Sequence, residues 1–177
     1  MTEELADEEG LLLYVDPGWQ PTEEQPGPPM ESILGAWPTS AEGERGRFYP
    51  NPVYRPISPD SPLDPVDAVL RTVMIDDTAV EQLPDALRDV MLGIAVDESG
   101  AAVVRPSPDD IPSVLVATAY GHRARLDVPQ WLDVTIQELA EALPDEGVDV
   151  LINPGSGASM RLVAAAVREV AADIDPR

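Results

Sequence analysis

The chain has 177 residues, 44% of them hydrophobic, which is enough for one domain that buries about 70% of its unfolded surface and too little for two full ones. Its formal charge of −22 comes from 33 acids against eleven arginines and no lysine, so its field disfavours phosphate backbones and anionic lipid surfaces as partners. With no cysteine, disulfide and thiolate chemistry are excluded.

Residues 1–10 carry five acids and no base, the composition of a solvated tail, and neither a secretory signal nor a run of about 18 apolar residues occurs. The expected location is cytoplasmic. Leu11 to Asp16 reads as a strand stopped by Asp16-Pro17-Gly18. Trp19 to Glu31 is proline-rich and acidic, as in a linker or surface strap. Ile33 to Phe48 reads as a hairpin turning at Ala41-Glu42-Gly43, with Trp37 and Phe48 as core contacts and Pro38 placing its first strand at an edge. In Tyr49 to Pro62 prolines recur every two to four residues, so the segment lies extended as a strap, with Tyr49 and Tyr54 as its anchors.

Asp64-Pro65 is a helix cap followed by proline at the first helical position, and Val66, Val69, Leu70 and Val73 continue at helical spacing. A second helix is expected over Thr78 to Val90, with its regular part starting near Pro84. Gly93 to Arg105 reads as a hairpin turning at Asp97 to Gly100, and Ser113 to Ala119 as a strand buried on both faces. Leu132, Ile136, Leu139 and Leu143 predict a helix over Val128 to Leu143. Val148 to Ile152 predicts a strand, and Met160, Val163, Val167, Val170 and Ile174 predict one face of a last helix. Together these give an α/β or α+β fold: a small mixed sheet with helices packed on it, preceded by an N-terminal hairpin and a proline-rich strap. The expected organisation is a tail at 1–10, an N-terminal part at 11–62 and a core at 63–174, in one compact domain. LYVDPGW and LINPGSG echo each other weakly, each an apolar strand closed by Asp or Asn before Pro-Gly.

Two places invite a chemical reading. Asn153, Gly155, Ser156 and Gly157 form a turn after a strand, where dinucleotide-binding proteins carry GxGxxG, but the third glycine is missing and no lysine exists for a phosphate loop. The turn is either structural, with Gly155 at positive φ and Ser156 or Ser159 capping a helix, or an anion site with His122 and Arg123 nearby. His122, the single histidine, lies in the one positive cluster with Arg123 and Arg125 and has no nucleophile motif beside it, so it reads as a surface residue between strand and helix. Asp76-Asp77 and Asp109-Asp110 lack the spacing of a calcium loop and read as helix ends or turns. No catalytic residue, cofactor or metal ligand is assigned.

The set Pro50-Asn51-Pro52 with Tyr54-Arg55-Pro56, Asp64-Pro65-Val66-Asp67, VLVATAYGHR and Asn153-Pro154-Gly155 resembles the actinobacterial type VII (ESX) secretion system-associated proteins. The C-terminal half is similar to the SseB N-terminal-like domain, and Ile57-Ser58-Pro59 departs from the family pattern. The resemblance implies a secretion context and transfers no catalytic residue. The expected function is a non-enzymatic accessory or adaptor. It would bind a secretion substrate or apparatus component through an apolar groove beside the strap or through its acidic surface, with Tyr49, Tyr54, Arg55, Trp37 and Trp131 as candidate contacts. A small-molecule or enzymatic role at the Asn153 to Gly157 turn with His122 and Arg123 is the alternative.

Overall fold

Asp16 ends the first strand, and the hydrogen bonds that its carboxylate accepts fix the path of the proline-rich segment. The structure, a computed structural model, describes residues 10–173; the expected tail before Gly10, and the end of the last helix from Ile174 onward, lie outside them. The chain divides into two units on either side of the Pro62 to Leu63 link.

In the first unit, β1 (Gly10–Val15) pairs antiparallel with β2 (Ile33–Thr39), which pairs in turn with the short β3 (Tyr49–Pro50). β2 is therefore central, which corrects the edge position inferred from Pro38. Proline is accommodated because the Pro38 carbonyl accepts from the Gly46 amide on the side away from β1, where the missing N–H costs no bond to β1. The turn after β2 forms at Ser40 to Glu44 with Gly43 at positive φ, but a single bridge from Thr39 to Arg45 is all that it closes directly. Tyr14, Trp37 and Phe48 meet at tilted and edge-to-face angles with centroids 4.8–6.5 Å apart, and the ring of Phe48 lies where a side chain on Gly35 would be.

The proline-rich segment is held down by polar groups. Asn51 Nδ2 donates to the Met30 and Ile33 carbonyls, the Asn51 amide donates to Leu34 and the Arg55 amide to Glu31. Asp16, only 1% exposed, accepts from the amides of Gly18 and Ile57 and from Ser61 Oγ, and Tyr54 Oη lies 2.8 Å from its Oδ2. Burial pushes the Asp16 carboxyl up, but these donors outweigh it and hold the group below the ordinary carboxylate range. Burial and that negative charge together push the Tyr54 phenol well up. Tyr54 is thus the anchor expected of it, whereas Tyr49 is 66% exposed and anchors nothing through its ring; its backbone is what pairs, in β3.

In the second unit, Asp64 caps α1 (Pro65–Val73) by accepting from the Asp67 amide. A 3-10 turn (Asp77–Gln82) leads into α2 (Leu83–Asp89), with Pro84 in its first turn. The sheet runs β7-β4-β6-β8-β9, built from β4 (Leu92–Val96), β6 (Pro112–Ala117), β7 (Gln130–Val134), β8 (Asp149–Ile152) and β9 (Met160–Leu162), with β5 (Val104–Pro106) also on β6. The sheet is mixed: β6 and β8 are parallel and every other pair is antiparallel. The turn expected at Asp97 to Gly100 is present, but β5 leaves β4 after the Val96 to Ala102 bridge and pairs with β6. One sheet face holds Ala95, Leu115 and Leu151 under Val103, Leu126, Val128 and Trp131. Alternation puts Val114, Val116, Val150 and Ile152 on the other face, and these four are buried, as are Val66, Leu70, Leu87, Leu139 and Val167 on the helices.

Two helix expectations are corrected. Residues 130–134 form β7 rather than the start of a helix, and α4 (Ile136–Ala142) begins only after Thr135, whose capping box with Glu138 fixes the boundary. Leu132 consequently belongs to a strand and is exposed. Likewise, Met160 lies in β9 and α5 (Ala164–Ala172) starts after Val163, without a side-chain cap.

Tyr54→Phe removes a hydroxyl shared by Asp16 and the Pro62 carbonyl and should lower stability by about 1–2 kcal/mol, whereas Tyr49→Ala should change it by less than about 0.5 kcal/mol. Urea midpoints of the two variants check this; equal losses would contradict the assignment of Tyr54 as the anchor.

Candidate functional site

The C-terminal ends of parallel strands, where backbone ladders stop, are where α/β sheets leave polar groups to be used. Here β6 and β8 end side by side, with Val116 opposite Ile152. The Asn153 amide donates to the Val116 carbonyl, and Asn153 Oδ1 accepts from the Thr118 amide, so one asparagine extends the pairing past the last regular residue. Its Nδ2 donates to Thr118 Oγ1, which in turn donates to Asp64 Oδ2 at 2.5 Å. Asp64 caps α1, and Asp67, one turn further on, accepts from the Leu63 amide and Arg71 Nε through Oδ2 while its Oδ1 faces His122 Nε2 at 3.5 Å. Asp64, Asp67, Thr118, His122 and Asn153 are all no more than 7% exposed.

His122 is therefore not the surface residue read from the sequence. It sits in α3 (Tyr120–Arg123), directly after β6, and is completely buried with its ring against a carboxylate. Neither ring nitrogen makes a regular hydrogen bond among the described residues, and Nε2 meets Asp67 Oδ1 only across this long contact. The two aspartates are pushed apart by their surroundings. Burial raises the Asp64 carboxyl, and Asp67 beside it adds to that rise against the donors Thr118 and the Asp67 amide. Burial also pushes Asp67 up, but His122 and Arg71 pull harder and leave it below the ordinary value. The two carboxyls thus shift in opposite directions, Asp64 upward where it meets Thr118 and Asp67 downward where it faces His122 and binds Arg71.

The Asn153 to Gly157 turn is positioned by the same network. Asn153 adopts φ +49° and Gly155 φ +77°, the positive φ expected of the glycine. The turn leads into strand β9 and not into a helix, so the helix start that an anion site would use is missing from it, and the expected capping role of Ser156 and Ser159 is replaced: Ser156 Oγ accepts from the Ala158 amide, and Ser159 Oγ donates to the Ile152 carbonyl. Arg123 is bound by Asp133, lies flat over Gly93 and sits within cation-π distance of Tyr120 and Trp131. One member of each acidic pair is engaged within the fold: Asp76 caps the turn at Thr78, and Asp109 binds Arg161 and Ser107, which hold its carboxyl down at about 2. Among the described residues no cluster of His, Asp or Glu has the arrangement of a metal site.

Of the candidate partner contacts, Trp37 is a core residue of the first unit, Tyr54 is its anchor, and Tyr49 and Arg55 are exposed. Trp131 belongs to the second unit, half-buried against Ala95 and its neighbours. Sequence reasoning missed Asp64, Asp67 and Thr118 as partners of Asn153 and His122; the only signal was Asp64-Pro65 as a cap, which says nothing about contacts more than fifty residues away. Comparison with protein-family models, curated proteins and solved structures gives no match.

Asn153→Ala leaves the buried Thr118 amide without its acceptor and puts alanine at left-handed φ, so it should cost about 2–4 kcal/mol, with Asn153→Gly costing less because glycine accepts that φ. Chemical denaturation of both variants gives the comparison, and an Asn153→Gly loss as large as that of Asn153→Ala would remove the backbone part of the argument. The pH dependence follows from Asp67. A depressed folded-state pKa contributes stability that is complete above the unfolded value of about 3.9 and disappears as pH falls through the folded value. The stability gap between wild type and Asp67→Asn should therefore be constant above about pH 5 and shrink as the pH falls further, and a gap independent of pH in that acid range would show that Asp67 is not held below its ordinary value.

Proposed function

We propose that the protein is a non-enzymatic accessory or adaptor of type VII secretion, acting in the cytoplasm by binding a protein partner through its proline-rich strap. The observation that carries this reading is that the strap is clamped from below by Asp16 and Asn51 and yet turns Tyr49, Val53 and Ile57 outward at 66, 50 and 48% exposure. A segment already fixed by its prolines and these hydrogen bonds loses little freedom on docking, so its apolar side chains favour recognition at low entropic cost. Arg55, also exposed, adds one positive group to a strongly acidic chain.

The secretion context rests on the motifs of the strap and of the Asn153-Pro154-Gly155 turn. The non-enzymatic part is supported by the chemistry of the buried network, whose one histidine and two perturbed aspartates are engaged in joining α1 to the ends of β6 and β8. Membrane insertion is no part of the proposal, and no described helix is long and apolar enough to cross a bilayer.

Affinity purification of the tagged chain from its native cell tests the reading. A secretion substrate or apparatus component should be recovered with wild type and lost with Tyr49→Ser/Val53→Ser/Ile57→Ser, which alters only exposed side chains and should leave the unfolding midpoint nearly unchanged. Recovery of a metabolic complex in place of a secretion component, or equal recovery with the variant, would overturn it.

A further inference from the structure

Among the described residues the opposite edge of the N-terminal sheet is open. In the order β1-β2-β3, β1 has a neighbour on one side only among the described residues. The direction of its free groups follows from Pro38. The Pro38 carbonyl accepts from Gly46 and the Leu34 carbonyl from Asn51, so residues 34, 36 and 38 of β2 point their backbone groups away from β1. Their register partners Leu11 and Leu13, opposite Pro38 and Ala36, therefore form non-hydrogen-bonded pairs with β2 and direct their own N–H and C=O outward.

Natural edge strands are usually guarded by charge, proline or shortness. β1 has none of these guards. GLLLYV is six residues long, contains neither a charged residue nor a proline, and its only irregularity is a register shift at Tyr14 and Val15. Leu11, Leu12 and Leu13 are 69, 48 and 48% exposed, so apolar side chains stand on both faces of the open edge.

We infer that β1 is a docking edge on which a basic, extended segment of a partner protein adds as a fourth strand. Main-chain bonds to Leu11 and Leu13 would provide the pairing, and the exposed leucines would favour β-branched or aromatic residues across from them. The charge selects the partner. A chain of net charge −22, with five acids among the residues that immediately precede β1 in sequence, attracts an arginine- or lysine-flanked strand and repels a second copy of itself. This inference does not depend on the strap: it concerns the other edge of the sheet and would stand if the strap bound nothing.

The test uses the full chain and a fluorescent peptide of alternating arginine and valine, about a dozen residues long, beside an arginine-glycine peptide of equal length and charge. Wild type should bind the arginine-valine peptide at least about tenfold more tightly, and the amides of Leu11 and Leu13 should gain protection from hydrogen exchange when it is bound. Leu13→Pro, which removes an outward N–H and no bond to β2, should abolish the preference, and so should Leu11→Lys/Leu13→Lys, which changes exposed side chains alone and covers the case that proline disturbs the sheet. Equal affinity for the two peptides would reduce the effect to charge attraction and overturn the inference. A preference that survives in the double lysine variant would also overturn it, as would a concentration-dependent dimer of wild type that the lysine variant abolishes.

Discussion

The C-terminal unit depends on the side chain of Asn153. Two parallel strands need something to hold their ends together once the ladder runs out, and here the one group serves as backbone substitute, turn former and link to a helix. Its carboxamide takes the Thr118 amide on one side and gives to the Thr118 hydroxyl on the other, and through that hydroxyl reaches the cap of α1. A left-handed conformation that would be unfavourable alone is retained because these bonds all require it. Asp64 and Asp67 extend the link to His122, so the start of α1, the ends of β6 and β8, and α3 share a single polar network with little exposure to water.

The N-terminal unit solves a similar problem with a carboxylate. Asp16 closes β1 as Asn153 closes β8, each nearly inaccessible and each bonded to a segment distant in sequence. The faint likeness between LYVDPGW and LINPGSG thus has a physical counterpart without requiring a duplication: a strand closed by Asp or Asn presents a short acceptor to its surroundings where the backbone turns away. The difference is the charge. Asp16 keeps its charge by collecting four donors, whereas Asn153 is neutral and needs no counter-ion in the core.

Local chemistry was legible in the sequence, and long-range pairing was not. The Asp64-Pro65 cap, the Asp16-Pro17-Gly18 turn, the doubly buried β6 and the mixed α/β character all follow from residues within a few positions of one another. The helix expected from Val128 failed because Leu132 happens to fall in phase with Ile136, Leu139 and Leu143, although Thr135 and Glu138 already spelled a capping box that places the boundary. The turn at 153–157 was read through the familiar strand-glycine-helix pattern, while the five small residues from Gly155 to Ser159 are long enough for the hairpin loop that joins β8 to β9. His122 was misplaced for a deeper reason. Its partner Asp67 lies on another element, and only the fold brings the two together to offset the burial of both.

The two asparagines carry a consequence for the lifetime of the molecule. Asparagine side chains decay when the following backbone nitrogen attacks the carboxamide, and that attack needs an amide N–H. Asn51 and Asn153, the only asparagines in the chain, are each followed by proline, which has none. The residue that fastens the strap and the residue that fastens the sheet are thereby shielded from the commonest route by which an ageing protein would acquire a carboxylate at those sites. At Asn153 that new charge would arise beside Asp64, in a position with no access to water.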